Sequence, residues 1–186
     1  MKRLVMLMLL AALALSLPVA ASTFIHMDQK ALVRDSASVI QGRVISTSSY
    51  WNQTGQVIVT DALIQVEDTV LGNAPTVVIV RTFGGTVGGY TIEADGFPTF
   101  QTSERLLLFL EPENDGASRV AGYQQGQYRI VRDKSGVEIA VPVFAGASLV
   151  LRPDGSRAAT AKALPLETLK ASIRDEARRA GRPLEN

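Results

Sequence analysis

The sequence predicts a mainly β protein, built as a small closed or partly open antiparallel barrel of the OB-like, Greek-key type. A short helix precedes the barrel and an amphipathic helix follows it. Runs of β-branched residues recur at intervals of roughly 8–12 residues between turn residues, as in small barrels and sandwiches. With 186 residues, 46% hydrophobic, and no cysteine, the chain has enough residues for one core. The missing cysteines exclude a disulfide scaffold, a thiol nucleophile and a cysteine-based zinc site.

Residues 1–21 have the layout of a secretory signal peptide. Lys2 and Arg3 precede an apolar run, which ends at Pro18 and is followed by small residues up to Ala21. The run is about 14 residues long, whereas a membrane-spanning helix needs about 20. We therefore expect cleavage after Ala21, export to the periplasm or the medium, and no stable membrane insertion afterwards. An uncleaved N-terminal anchor is the alternative.

The charge balance argues against nucleic acid as a partner. The chain has 19 basic and 18 acidic residues, and cleavage would remove two of the basic ones, which leaves a net charge of −1. A nearly neutral chain exerts no global attraction on nucleic acid. We therefore expect no nucleic-acid partner, and instead a protein or polymer partner.

The predicted barrel domain covers residues 22–156. It begins with a two-turn helix that Asp28 caps. The predicted strands are residues 38–46, 56–71, 76–82, 90–93, 105–110, 119–123, 127–132, 137–140 and 149–151. Gly42 indicates a bulge or a sharp bend in the first strand. The continuous apolar runs at 76–82 and 105–110 predict strands that are covered on both faces.

Residues 157–186 are predicted to form a connection and a C-terminal helix on or beside the barrel. Pro165 opens this helix, and Gly181 ends it. One apolar stripe is formed by Leu166, Leu169, Ile173 and Ala177. The basic residues of its last turns match the helix dipole and are interpreted as a solvated face. A helix that binds a membrane surface or nucleic acid is the alternative.

The residues that usually carry catalysis are sparse. His26 is the one histidine, and no G-x-S-x-G motif is present to hold a nucleophile. We therefore expect no catalytic residue, no metal site and no cofactor, and a protein that is not an enzyme. Glu93 and Asp95 are the carboxylates that would carry a hydrolase activity if there were one.

Two segments are candidate binding sites. A glycine-rich loop lies between two predicted strands and lacks the Lys and Ser/Thr of a phosphate-binding loop. A second segment combines aromatic and amide side chains, which suit sugars or a peptide backbone. Each segment also has a purely structural interpretation, as a flexible connection or a tight loop. The candidate residues are Gly84, Gly85, Thr86, Val87, Gly88, Gly89, Tyr123, Gln124, Gln125, Gln127 and Tyr128.

Several segments together resemble a group of uncharacterised exported bacterial proteins. They are residues 32–44, 66–72, 84–89, 103–110 and 122–126, and the resemblance covers about residues 28–180. The first two segments also resemble the netrin-like OB barrels of tissue inhibitors of metalloproteinases. In both, an apolar segment ending in G-x-V precedes a strand that closes with hydrophobic-x-G. This resemblance implies a five-stranded Greek-key barrel, but that family inhibits through an N-terminal Cys, which this chain lacks.

The sequence thus favours an exported, non-enzymatic β-barrel module that binds an unknown protein or polymer partner. Two alternatives stay open. One is an inhibitor or accessory partner of a secreted metalloprotease, and the other is a carboxylate-dependent hydrolase.

Overall fold

Five strands close a small barrel, and two helices cover a sheet that extends from it. The computed structural model describes residues 23–144, 149–151, 155 and 161–184. The predicted signal peptide lies outside these residues. The strands are β1 (Thr23–Ile25), β2 (Ser38–Trp51), β3 (Ile58–Leu71), β4 (Val77–Phe83), β5 (Gly85–Val87), β6 (Tyr90–Ile92), β7 (Arg105–Pro112), β8 (Ser118–Val120), β9 (Gln127–Arg132), β10 (Glu138–Pro142), β11 (Leu149–Leu151) and β12 (Leu164–Pro165). The helices are α1 (Gln29–Asp35) and α2 (Leu166–Arg179), and a 3-10 turn spans Tyr123–Gly126.

The barrel has the OB-like Greek-key arrangement that the sequence predicts. Its strand order is β7-β2-β3-β4-β8, and pairing between β7 and β8 closes the ring. One strand pair departs from the antiparallel arrangement, because β4 and β8 run parallel where Val80 meets Ser118. Five strands in a ring cannot all alternate in direction, so closure requires at least one parallel pair.

Gly42 lies at a register shift between β2 and β3, which confirms the predicted bulge. A Cβ atom at this position would lie 2.6 Å from the carbonyl oxygen of Gln65. Because glycine lacks that atom, the two strands can approach closely and β2 can bend. Residues 38–43 of the strand pair with β7, and residues 39–51 pair with β3.

The strand β7 is buried on both faces, as its apolar run predicts. Leu106, Leu108 and Leu110 point into the barrel core. Leu107 and Phe109 point to the opposite side, into a second core under the helices. The alternation of a β-strand therefore places successive residues of β7 in two different cores.

The same prediction for β4 is wrong. Val78 and Val80 lie in the barrel core, but Val77 is 42% exposed and Ile79 is 40% exposed. The outer face of β4 is therefore only partly covered. An apolar run does not by itself distinguish a strand with two covered faces from one with a single covered face.

The second core lies between the helices and the sheet that continues from β7 through β9 and β10 to β12. The predicted stripe of α2 is confirmed, since all four of its apolar residues are buried. The predicted cap of α1 is also confirmed, because the Ala31 amide donates to Asp28 Oδ1 at 2.8 Å. Neither helix is long and apolar enough, among the residues described, to cross a membrane.

Ion pairs hold α2 and the sheet margins in place. Lys170 of α2 is buried, and its Nζ lies 2.9 Å from Asp68 Oδ2 on β3. Elsewhere, Arg105 bridges Glu67 and Glu138. Partial burial alone would raise the pKa of Glu67, but hydrogen bonds from Arg105 and Gln41 lower it below its ordinary value. The hydrogen bond from Arg105 also lowers the pKa of Glu138.

Truncating one buried side chain of the apolar stripe of α2 should lower the stability of the whole fold. Ile173→Ala removes a fully buried side chain from the second core and should lower the free energy of unfolding by about 2–5 kcal/mol. Thr168→Ala, at an exposed position of the same helix, should change it by less than about 0.5 kcal/mol. Urea unfolding measures both, and equal small effects would contradict the placement of this helix.

Candidate functional site

Two adjoining grooves lie at one end and one side of the barrel. The larger, which we name the barrel groove, has a volume of about 530 Å³, and the smaller, the side groove, has about 380 Å³. Thr82, Phe83, Phe97 and Pro98 line both grooves. The pair Phe83 and Phe97, with ring centroids 5.3 Å apart, therefore forms the wall between them.

Hydroxyl side chains line the barrel end of the larger groove. Thr47, Ser49, Thr60 and Thr82 line this groove from three strands of the barrel. Ser49 and Thr60 share a 2.8 Å hydrogen bond, and the Thr60 hydroxyl donates to the Gly84 carbonyl at 2.7 Å. The Thr82 hydroxyl donates to the Pro98 carbonyl at 2.7 Å. These bonds attach the loops that follow β4 to the end of the barrel.

The predicted glycine loop divides into a packed base and an open tip. Gly84 and Gly85 line the barrel groove, and both have a positive φ. A Cβ atom on Gly85 would collide with the Thr60 hydroxyl and lie 2.5 Å from Ser49 Oγ. At the tip, no atom lies within 4 Å of a Cβ built on Gly88 or Gly89. Between base and tip, Thr86 and Val87 belong to β5, which pairs with β6.

In the second predicted segment, the 3-10 turn directs the side chains to different places. Tyr123 lines the side groove, while Gln124 lines the barrel groove and donates to the Phe97 carbonyl at 2.8 Å. Gln125 contacts the backbone of the N-terminal segment. Gln127 is buried and donates to the Thr99 carbonyl at 2.8 Å. Tyr128 lies in the second core, where burial raises the pKa of its hydroxyl.

The structure therefore brings only part of the predicted set together. Gly84, Gly85 and Gln124 meet at the barrel groove, and Tyr123 stands at the side groove. Gln127 and Tyr128 face the interior.

A cluster of aromatic rings connects the two grooves, and Tyr123 is the one member that the sequence analysis named. We name it the aromatic ladder, and its members are Phe24, Phe83, Phe97, Tyr123 and Phe144. Tyr123 is its centre, with centroids 4.9 Å from Phe97 and 5.3 Å from Phe24. The residues are scattered along the chain, so no spacing in the sequence indicates them. Four of the six phenylalanines of the chain belong to the cluster.

The backbone at Tyr123 is strained. Its φ is +59°, and that of Gly122 is +64°. A left-handed conformation costs a residue with a Cβ atom about 1–2 kcal/mol. This conformation is maintained by the surrounding contacts, and such strain concentrates at binding and catalytic sites. Here it holds a ring that remains 46% exposed against the ladder.

The charges of the side groove compensate one another. Arg81 pairs with Asp61 at 2.7 Å and also with Asp115, and both hydrogen bonds raise the pKa of its guanidinium. Its bond to Asp115 lowers the pKa of that carboxyl. Arg119 pairs with Glu111 at 2.6 Å.

The barrel groove has a different character. Glu93 and Asp95 line it, and no basic residue among those described does so. Among the residues described, neither carboxylate has an ion-pair partner.

In the described part of the chain, no three His, Cys, Asp or Glu side chains are grouped so that they could hold a metal ion. Comparisons of the chain with protein-family models, with curated proteins and with solved structures find no match.

The two halves of the glycine loop should respond differently to added side chains. Gly88→Ala should cost about 1–2 kcal/mol of unfolding free energy, because only its left-handed backbone is penalised. Gly85→Ala should cost about 1–3 kcal/mol more, because its Cβ also collides with Thr60 and Ser49. Thermal unfolding compares the two, and equal losses would contradict the close contact at the base of the loop.

Proposed function

We propose that this protein is an exported, non-enzymatic binding module that holds an extended segment of a protein or polymer partner along the aromatic ladder. The observation that carries the proposal is the pair of grooves that adjoin at Phe83 and Phe97. Export rests on the sequence of residues 1–21, and mass spectrometry of the mature protein tests it. Ser22 should be the first residue, and an intact Met1 would contradict cleavage.

The exposure of the rings supports binding over a purely structural role. Phe83 is 37% exposed and Tyr123 is 46% exposed, although both contact other rings of the ladder. Aromatic side chains supply large contact areas at low conformational cost and are frequent at the centres of interfaces. The loops around them are attached to a closed barrel, which is the usual arrangement for binding loops.

The lining of the barrel groove narrows the chemistry of the partner. The Glu93 and Asp95 carboxylates offer hydrogen-bond acceptors beside the rings, whereas backbone carbonyls already use the donors of Thr60, Thr82 and Gln124. The two negative charges would repel a phosphate backbone, so nucleic acid is not the proposed partner. A neutral or positively charged segment of a polypeptide or a polysaccharide fits this lining better.

Comparative capture tests the binding role. The mature protein, its Phe83→Ala variant and its Tyr90→Ala variant are immobilised and exposed to an envelope extract of the source organism. Phe83→Ala should retain about tenfold less of the specific partner, because it removes the wall between the grooves. Tyr90→Ala removes an exposed ring outside the ladder and should retain as much as the unaltered protein.

Retention that is equal for all three proteins would contradict the proposal. A captured protease whose activity falls on binding would instead support an inhibitor or accessory partner of a secreted metalloprotease.

The position of Glu93 and Asp95 on the barrel groove favours a second candidate, a carboxylate-dependent hydrolase. The double variant Glu93→Gln/Asp95→Asn separates the two functions. If the protein is a binding module, general glycosidase and esterase substrates should show no turnover that this variant abolishes. A substrate turned over by the unaltered protein and not by the variant would establish the hydrolase.

A further inference from the structure

The chain's own N-terminal strand lies on the aromatic ladder. The Phe24 ring of β1 lies between Tyr123, at 5.3 Å, and Phe144, at 6.3 Å. It rests directly on Gly96, where any Cβ atom would overlap the ring. Since only glycine leaves room at that position, the site is shaped for an aromatic side chain.

One side chain holds the backbone of this segment. Gln125 Oε1 accepts from the Met27 amide at 2.9 Å, and its Nε2 donates to the Ile25 carbonyl at 3.0 Å. These contacts use backbone groups, which every extended peptide offers. The Ile25 side chain, by contrast, is 72% exposed. The site therefore selects one aromatic side chain and otherwise recognises backbone.

The strand β1, which carries Phe24 into this site, is short. β1 has three residues, and it pairs in parallel with the three residues of β11. One further backbone bond, from the His26 amide to the Leu151 carbonyl at 2.7 Å, continues this pairing. A strand of three residues opens at low free-energy cost, because few contacts must break.

We propose that the Phe24 site is a peptide-binding site, which β1 occupies within the chain and which an extended partner segment with an aromatic residue occupies by displacing it. This inference rests on the proposed function, because it defines the part of the partner that contacts the ladder. The internal strand competes with the partner, so the apparent affinity is the intrinsic affinity multiplied by the fraction of molecules in which β1 has left the site.

The experiment uses a dye-labelled peptide with the sequence of residues 22–28 and follows its fluorescence anisotropy. Phe24→Ala empties the ring site in the protein, so this variant should bind the peptide about tenfold more tightly than the unaltered protein. Tyr90→Ala should bind it as the unaltered protein does. Adding Gln125→Ala to the Phe24→Ala variant should remove the gain, because the backbone contacts are lost.

A peptide with alanine in place of phenylalanine should bind none of these proteins. Equal affinity of the original peptide for the unaltered protein and the Phe24→Ala variant would overturn the proposal. So would equally tight binding of the alanine peptide.

A second measurement does not depend on the folding of any variant. Excess peptide added to the unaltered protein should increase hydrogen exchange at residues 23–27, where the Met27 amide is bonded to Gln125. Unchanged exchange at saturating peptide would also overturn the proposal. Capture that is insensitive to Phe83→Ala would contradict the proposed function instead, so the two failures are distinguishable.

Discussion

The strand β7 is the element on which both halves of this molecule depend. Its even-numbered leucines complete the interior of the barrel, and Leu107 and Phe109 complete the core beneath the helices. Burial of such side chains stabilises each core by about 1.5–3 kcal/mol per residue. Because the two sets alternate along one backbone, neither core can shift without moving the other. The barrel and the helical layer are thus mechanically a single unit.

This rigidity gives the candidate site its geometry. The hydroxyls at the end of the barrel bind the carbonyls of the loops that follow β4, so these loops are positioned by the barrel. The ladder then runs across strands, a 3-10 turn and loops that come from distant parts of the chain. Such an arrangement presents exposed rings on a surface whose backbone is fixed, which reduces the ordering cost of binding.

The sequence predicts the helices and strands better than it predicts which of their faces are buried. The stripe of α2 is found because its period is set by helix geometry, which depends only on neighbouring residues. The exposed face of β4 is missed, because its apolar run looks the same whether one face or two are covered. Exposure is decided by which elements pack nearby, and this depends on the whole fold.

In the candidate site too, the sequence predicts some positions correctly and misses those that depend on the whole fold. Gly84 and Gly85, at the base of the glycine loop, line a groove, as is expected of loop residues. Tyr128, in contrast, lies in the second core. Gly122 is compatible with the tight loop that the sequence allows, but the left-handed backbone at Tyr123 is not indicated by its residue type. The ladder itself joins residues from five separate stretches of sequence, so only the folded chain reveals it.

The odd number of barrel strands has one more consequence. The parallel contact between β4 and β8 is a single residue pair, so hydrogen bonding along this seam is minimal. Arg81 of β4 reaches across it to Glu113 and Asp115, in the connection between β7 and β8. Charge attraction thus reinforces the junction where the backbone contributes least, and dissolved ions weaken such attraction. As ionic strength rises, the barrel is therefore expected to open first at this junction, which lies beside the side groove.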